Sequence, residues 1–161
     1  MAGAAVVFSG CDSCVFANNT IVHPGSYVAR IVQENPERAV GTDGHFTNNV
    51  VVFAESRLRG HVDVAAGTRP ETYTFGANLW YAVDDGKFAG PDYPSGIPAE
   101  QGAVVGRNPL LDAARRPKEG SPAFTAGREV PGGRAVGFRA APLPQSAQQG
   151  GVRGAVKGER D

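Results

Sequence analysis

Three side chains on two strand-like runs have the types needed for acid–base chemistry at a carboxylated substrate. Arg30 lies in the run 26–34, and His61 and Asp63 lie in the run 59–67. Both runs alternate apolar and polar residues, which predicts that all three side chains point outward from a β-sheet. A cation beside a base can neutralise a substrate carboxylate and remove the neighbouring proton. If the runs are equivalent strands, Arg30 and Asp63 lie about 4.8 Å apart, which also suits an exposed ion pair.

A second candidate site lies around a long polar loop, residues 82–101, which follows an aromatic pair. Loops of this length are often functional. Aromatic faces and carboxylates are the groups that a sugar-binding cleft uses, through apolar contact and hydrogen bonds to hydroxyls. We therefore predict a substrate-binding role for Trp80, Tyr81, Asp84, Asp85 and Tyr93. The alternative is that Trp80 and Tyr81 pack beneath the loop and anchor it.

Cys11 and Cys14 form a C-x-x-C motif for which three interpretations are open. Zinc would need two further ligands, and the histidines, His23, His45 and His61, have no paired spacing. A thioredoxin-like site would need a helix N-terminus just after the first cysteine, whereas strand-like residues follow. The third interpretation is a turn with one buried cysteine. We expect no metal site, no cofactor and no disulfide framework.

The elements that must position these residues belong to a repeat with a period of about 30 residues. Its three copies are 16–22, 46–52 and 75–81, and each begins with Phe and carries Asn three positions later. The apolar runs are short, β-branched and aromatic, and no window keeps a helical period for three turns. Further strand-like runs lie between the copies. The pattern predicts a β-solenoid in which each coil buries its apolar face against its neighbours.

The repeated asparagines have a structural role in such a stack. Asn19, Asn49 and Asn78 would occupy the same inward-facing turn of successive coils. An asparagine side chain both donates and accepts hydrogen bonds, and asparagine tolerates the left-handed backbone. We therefore predict an asparagine ladder along the stack. The alternative is three ordinary turn asparagines.

Four segments carry a further pattern. Two lie in the repeat, 14–22 and 45–53, and two are short motifs that follow it, 108–112 and 120–123. Together they resemble right-handed parallel β-helix proteins of the pectate-lyase-like superfamily, over roughly residues 4–127. The motifs at 108–112 and 120–123 are similar to the C-terminal end of many bacterial extracellular β-helix proteins. The resemblance implies an all-β, right-handed parallel β-helix of about three coils, a glycan or polysaccharide partner, and a secreted or cell-envelope location. It allows Ca²⁺ as a cofactor, and no catalytic motif carries over.

Composition and charge narrow the possible partners. The chain has 16 basic and 16 acidic residues and no basic run, so nucleic acid and anionic membranes are poorly supported. No apolar stretch is long enough to span a bilayer. The first eight residues lack the charged start of a signal peptide and resemble a strand inside a solenoid, so we expect a C-terminal fragment of a longer protein. We predict β-helix coils over 1–127 and a disordered tail, rich in Gly, Pro, Arg and Gln, over 128–161.

Two functions from different classes remain open at this point. One is a carbohydrate-active enzyme, a polysaccharide lyase ahead of a glycoside hydrolase, with Arg30, His61 and Asp63 as the catalytic candidates. A hydrolase would need two positioned carboxylates, for which Asp63, Asp84 and Asp85 are available. The other function is a non-catalytic solenoid that binds glycan or supports other domains, since a fold alone does not decide activity. The oligomeric state is left open by the sequence.

Overall fold

The computed structural model describes residues 3–35, 37–125 and 127–130. Apart from three single-turn 3₁₀ helices, Glu55–Arg57, Pro70–Thr72 and Pro122–Phe124, the regular structure of these ranges is β. No helix in them has the length and apolar character needed to cross a membrane. The predicted disordered tail lies outside the described residues except for 128–130.

The described residues form ten strands in three parallel sheets. In chain order, β1 to β10 are Ala4–Ser9, Val15–Ala17, Thr20–Val22, Tyr27–Val32, His45–Thr47, Val50–Phe53, Val62–Val64, Thr74–Gly76, Leu79–Ala82 and Val104–Val105. Sheet A has the order β1-β4-β7, sheet B the order β2-β5-β8, and sheet C the order β10-β9-β6-β3. The chain visits sheets A, B and C in turn and then returns to sheet A one strand further along. This is the parallel β-helix of about three coils that the repeat predicts.

The repeated segments 16–22, 46–52 and 75–81 form the corners between sheets B and C. Phe16 pairs with Phe46 and Phe46 pairs with Phe75, each in direct register. Their ring centroids lie 5.6 and 5.4 Å apart, so the aromatic side chains stack along the solenoid axis. Phe46 and Phe75 are buried, and full burial of such a side chain stabilises the fold by about 1.5–3 kcal/mol. The Phe period therefore sets the register of the coils.

Each corner between sheets B and C is a two-residue turn whose first residue has a left-handed backbone. The φ angles are 62° at Asn18, 56° at Asn48 and 53° at Ala77. Asparagine adopts this left-handed region readily, whereas the same conformation costs a residue such as alanine about 1–2 kcal/mol. The left-handed residue thus precedes the ladder asparagine instead of being that asparagine.

Two later segments cover the coils. Leu111 and Ala123 pack on the outer side of sheet C, against residues such as Val50 and Val52. The loop between β9 and β10 brings Phe88, Tyr93 and Ile97 against the main core at the last coil. Val22 of the first coil packs against the same outer cluster as Leu111.

Candidate functional site

The asparagine ladder is present, and the bonds between its asparagines all run in one direction. Asn19 donates its backbone N–H to Asn49 Oδ1 at 3.0 Å, and Asn49 donates its own to Asn78 Oδ1 at 2.8 Å. Each interior side chain also donates Nδ2–H to a phenylalanine carbonyl of the preceding coil, from Asn49 to Phe16 and from Asn78 to Phe46. Asn49 and Asn78 are completely buried. The ladder therefore satisfies polar backbone groups inside the solenoid.

A carboxylate ends the ladder at the last coil. Glu100 Oε1 accepts from the backbone N–H of Asn78 at 2.9 Å and from its Nδ2 at 2.7 Å, the bonds that a further asparagine would accept. Glu100 Oε2 accepts from Trp80 Nε1 at 2.8 Å and from the Tyr93 hydroxyl at 2.6 Å. Burial raises the pKa of Tyr93 far above its usual range, and the negative charge of Glu100 raises it further. Tyr93 therefore remains a neutral hydrogen-bond donor.

Arg30 and Asp63 are partners on the outer side of sheet A. They are register neighbours on β4 and β7, as predicted for equivalent strands, and Arg30 Nε lies 2.6 Å from Asp63 Oδ2. The two side chains are 30% and 29% exposed. The Arg30 guanidinium also lies 5.7 Å from the centre of the Tyr27 ring. The positive charge of Arg30 is thus already matched by a carboxylate, and the catalytic role of the pair stays a prediction.

His61 does not join that pair, and the prediction that it faces outward is wrong. Its side chain is only 3% exposed. Nδ1 accepts from the backbone N–H of Asp92 at 3.1 Å, so the ring proton of neutral His61 lies on Nε2 and is donated to Glu55 Oε2 at 3.0 Å. The ring packs edge-on against Phe53. His61 lies in the corner before β7 begins, where the in-and-out alternation of a strand does not apply.

The predicted substrate-binding residues do not line one cleft. Trp80 is completely buried in the core and presents no ring face to solvent, so it occupies the anchoring position of the alternative interpretation. Trp80 and Tyr93 meet at Glu100, whereas Tyr81 packs with Val52 on the outer side of sheet C. A role of Trp80 as an exposed stacking platform is excluded by its burial.

The two loop aspartates hold backbone turns. Asp84 accepts from the backbone N–H groups of Glu55 at 2.6 Å and Ser56 at 3.1 Å and from the Ser56 hydroxyl at 2.6 Å. The Ser56 hydroxyl bond is the main reason that the pKa of Asp84 lies below its usual value. Asp85 accepts from the backbone N–H of Lys87 at 2.8 Å. Both carboxylates thus have local structural partners.

Cys11 and Cys14 form a disulfide, a bond that the turn interpretation of the C-x-x-C motif did not include. The turn between β1 and β2 brings their Cα atoms to 5.9 Å, within the usual range for a disulfide. Both cysteines are partly buried against the core. A side chain at Gly41 would come within 2.5 Å of the Cys11 carbonyl oxygen, so this glycine lets the next coil pack closely beneath the motif.

A polar cleft of about 610 Å³ lies between the first coil and the C-terminal segment. The corner of the first coil contributes Asn18 and Thr20, and the segment after β10 contributes the rest of its lining: Asp112, Arg116, Pro117, Lys118 and Glu119. An antiparallel bridge between Leu111 and Pro117 closes this segment into a turn.

Two polar groups in the cleft differ sharply in how they are satisfied. Asp112 accepts from the backbone N–H of Arg116 at 2.9 Å and from its Nε at 3.1 Å, and the backbone bond is the main reason that its pKa is lowered. Asn18 Oδ1 is shielded from solvent and has no hydrogen-bond partner among the described residues. The equivalent Asn48 Oδ1 of the next coil accepts from the Arg128 backbone N–H at 3.0 Å. Asn18 is therefore an acceptor in need of a donor.

Sequence reasoning missed this cleft because its two sides are far apart along the chain. Asp112 belongs to the motif at 108–112, and Asn18 belongs to the first copy of the repeat. Neither pattern predicts that these two residues lie close together in space. Within the described residues, no group of three His, Cys, Asp or Glu side chains is placed to hold a metal ion. No family model, no curated protein and no solved structure matches the chain.

Proposed function

We propose that the protein is a carbohydrate-binding β-solenoid of the pectate-lyase-like type, acting in a secreted or cell-envelope setting, and that it holds glycan in the cleft beside Asn18. The observation that carries this proposal is Asn18, which lines a cleft of about 610 Å³ and whose side-chain oxygen Oδ1 is buried without a hydrogen-bond partner among the described residues. A buried acceptor without a donor costs about 1–3 kcal/mol, and a rotation of the Asn18 side chain into the cleft would let a ligand hydroxyl supply the missing bond.

The remaining lining of the cleft suits a ligand rich in hydroxyl groups. Thr20 can donate and accept, Asp112 and Glu119 accept, and Arg116 and Lys118 donate. Two cations and two carboxylates balance, which favours a neutral glycan over a polyuronate. The volume lies within the usual range of small-molecule sites. Pro117 is the only apolar residue among the described residues of the lining, so we expect weak binding that depends on hydrogen bonds.

The test is a glycan array followed by titration calorimetry with the best oligosaccharide. Asn18→Ala should lower the affinity about tenfold, since one lost hydrogen bond to a shielded group is worth about 1.4 kcal/mol. Asn35→Ala, at an exposed asparagine of a different corner, is the matched control and should bind as the unsubstituted protein does. Equal affinity of all three proteins would refute the assignment of the cleft.

A second candidate, a polysaccharide lyase, is favoured by the partly exposed Arg30 beside Asp63 on a parallel sheet. Such a lyase would have to exchange the Asp63 carboxylate for the substrate carboxylate on Arg30, and it would need a base other than the buried His61. Arg30→Ala should then abolish the release of unsaturated uronides from polyuronate. No release by the unsubstituted protein, or release that survives the substitution, would remove this candidate.

A further inference from the structure

We infer that Cys11 and Cys14 are a reversible dithiol–disulfide pair, which an external dithiol reduces and an external disulfide reoxidises while the solenoid stays folded. This activity is independent of the proposed glycan site. Both cysteines are partly exposed, and the two residues between them, Asp12 and Ser13, are exposed. The chain has no other cysteine, so within one molecule the two sulfur atoms can pair only with each other. An accessible disulfide is open to attack by the thiolate of a second molecule.

The turn that carries the motif is held to the next coil by hydrogen bonds that do not involve sulfur. The backbone N–H of Ser13 donates to the Thr42 carbonyl at 3.0 Å. The Ser13 hydroxyl donates to Asp43 Oδ2 at 3.2 Å, and the Thr42 hydroxyl donates to Asp12 Oδ1. Reduction of the disulfide removes none of these bonds. The turn therefore keeps its shape when the two cysteines become thiols.

The strands on both sides of the turn fix the distance between the two cysteines. Strand β1 pairs with β4, and strand β2 pairs with β5, so both strands are held by the second coil. The Cα atoms of Cys11 and Cys14 lie 5.9 Å apart, within the range that a disulfide bridges. Because the strands hold this distance without the disulfide, the reduced thiols stay side by side. The bond can therefore close again inside one chain.

The exchange moves two electrons from the external dithiol to the protein. A thiolate of the dithiol attacks one sulfur of the pair, forms a mixed disulfide and releases the other cysteine as a thiolate, which takes up a proton. The second thiol of the reductant loses its proton and attacks the reductant's own sulfur in the mixed disulfide. The reductant leaves as a cyclic disulfide, and the remaining cysteine takes up a proton. A strand and not a helix begins directly after the motif, at Val15, so we expect slower exchange than at a thioredoxin-like site.

The short loop limits how strongly the fold depends on the disulfide. The two cysteines have a sequence separation of 3, and the stabilisation from a cross-link grows with the length of the loop that it closes. We expect disulfide formation to be about tenfold more favourable in the folded chain than in the chain unfolded by urea. A tenfold ratio corresponds to about 1.4 kcal/mol. Reduction should therefore lower the melting temperature by only about 3–6 °C.

Alkylation of the native full chain tests whether the pair is reduced within the fold. Iodoacetamide should add no group before reduction and both possible groups after dithiothreitol, as read by mass spectrometry, while the circular dichroism spectrum stays that of the folded chain. Labelling that requires urea, or reduction that unfolds the chain, would show a purely structural disulfide and overturn the inference. Labelling of both cysteines before reduction would show free thiols and would also overturn it.

Single substitutions test whether the two cysteines act as a pair. With oxidised glutathione, Cys11→Ser and Cys14→Ser should each retain a mixed disulfide, because the second thiol that would displace glutathione is missing. The reduced unsubstituted chain should return to its internal disulfide and retain less than about a tenth as much glutathione. Equal retention by all three proteins, no retention by either variant, or reoxidation that links two unsubstituted chains would contradict the inference. If a variant fails to fold, the alkylation of the unsubstituted chain decides.

Discussion

Replacing Glu100 tests how the last coil is closed. Glu100→Ala removes the acceptor of four hydrogen bonds, two from Asn78, one from Trp80 and one from Tyr93. Asn78 and Trp80 are completely buried, so water does not replace the lost partner without local opening. A buried donor without an acceptor costs about 1–3 kcal/mol, and a relaxed site leaves about two such donors. We expect the free energy of unfolding to fall by about 3–5 kcal/mol.

Glu100→Gln separates the loss of charge from the loss of an acceptor. An amide oxygen in place of Oε1 still accepts both bonds from Asn78. The amide nitrogen then replaces Oε2, where the Tyr93 hydroxyl can turn to accept, whereas the Trp80 indole can only donate. One bond is lost instead of four, so the expected cost is about 1–3 kcal/mol.

The assay is urea denaturation followed by the fluorescence of Trp80, the single tryptophan of the chain. Glu71→Ala, at an exposed glutamate, is the matched control and should change the free energy of unfolding by less than about 0.5 kcal/mol. Hydrogen exchange at the Asn78 amide should accelerate in Glu100→Ala. A destabilisation below about 1 kcal/mol, or equal effects of Ala and Gln, would refute the role given to Glu100.

Three further predictions concern the ladder, the ion pair and acid stability. Asn49→Ala should destabilise by about 2–4 kcal/mol, and by more than Asn19→Ala in the first coil, where the asparagine is only partly buried; equal chemical-denaturation midpoints would contradict the ladder. Arg30→Ala should cost less than about 1 kcal/mol, because its partner Asp63 is also partly exposed; a larger loss in the same assay would show a buried role. The lowered pKa of Asp84 means that its contribution is present above the usual aspartate pKa and is lost as the pH falls through the folded value. Asp84→Asn should therefore flatten the decline in melting temperature below about pH 4, and an unchanged acid profile would contradict this.

The repeat made the fold predictable from the sequence. A Phe followed after three positions by Asn recurs at the spacing of one coil, so the same residue types return to the same place in each coil. The side-by-side position of Arg30 and Asp63 followed from the same periodicity. The alternation rule failed at His61, because this residue precedes β7 and takes its partners from Glu55 and the later loop.

The contacts between non-repeating segments were beyond sequence reasoning. Glu100 comes from an irregular loop, yet its carboxylate takes the place of the next ladder asparagine. The cleft joins Asn18 to Asp112, and no local pattern relates two loops so distant in the chain. The disulfide between Cys11 and Cys14 depended on the shape of one turn.

The sequence by itself determined the coil period, the β-strand character of the coils and the inward position of the asparagines. A solenoid repeats one local environment, so equivalent positions of successive coils carry the same residue types. Only the tertiary structure decided how the ladder ends at the last coil, which aromatic rings are buried and which corner of the repeat lines a cleft. These features arise where irregular loops fold back on the regular coils, and their contacts are set by three-dimensional packing that leaves no periodic trace in the sequence.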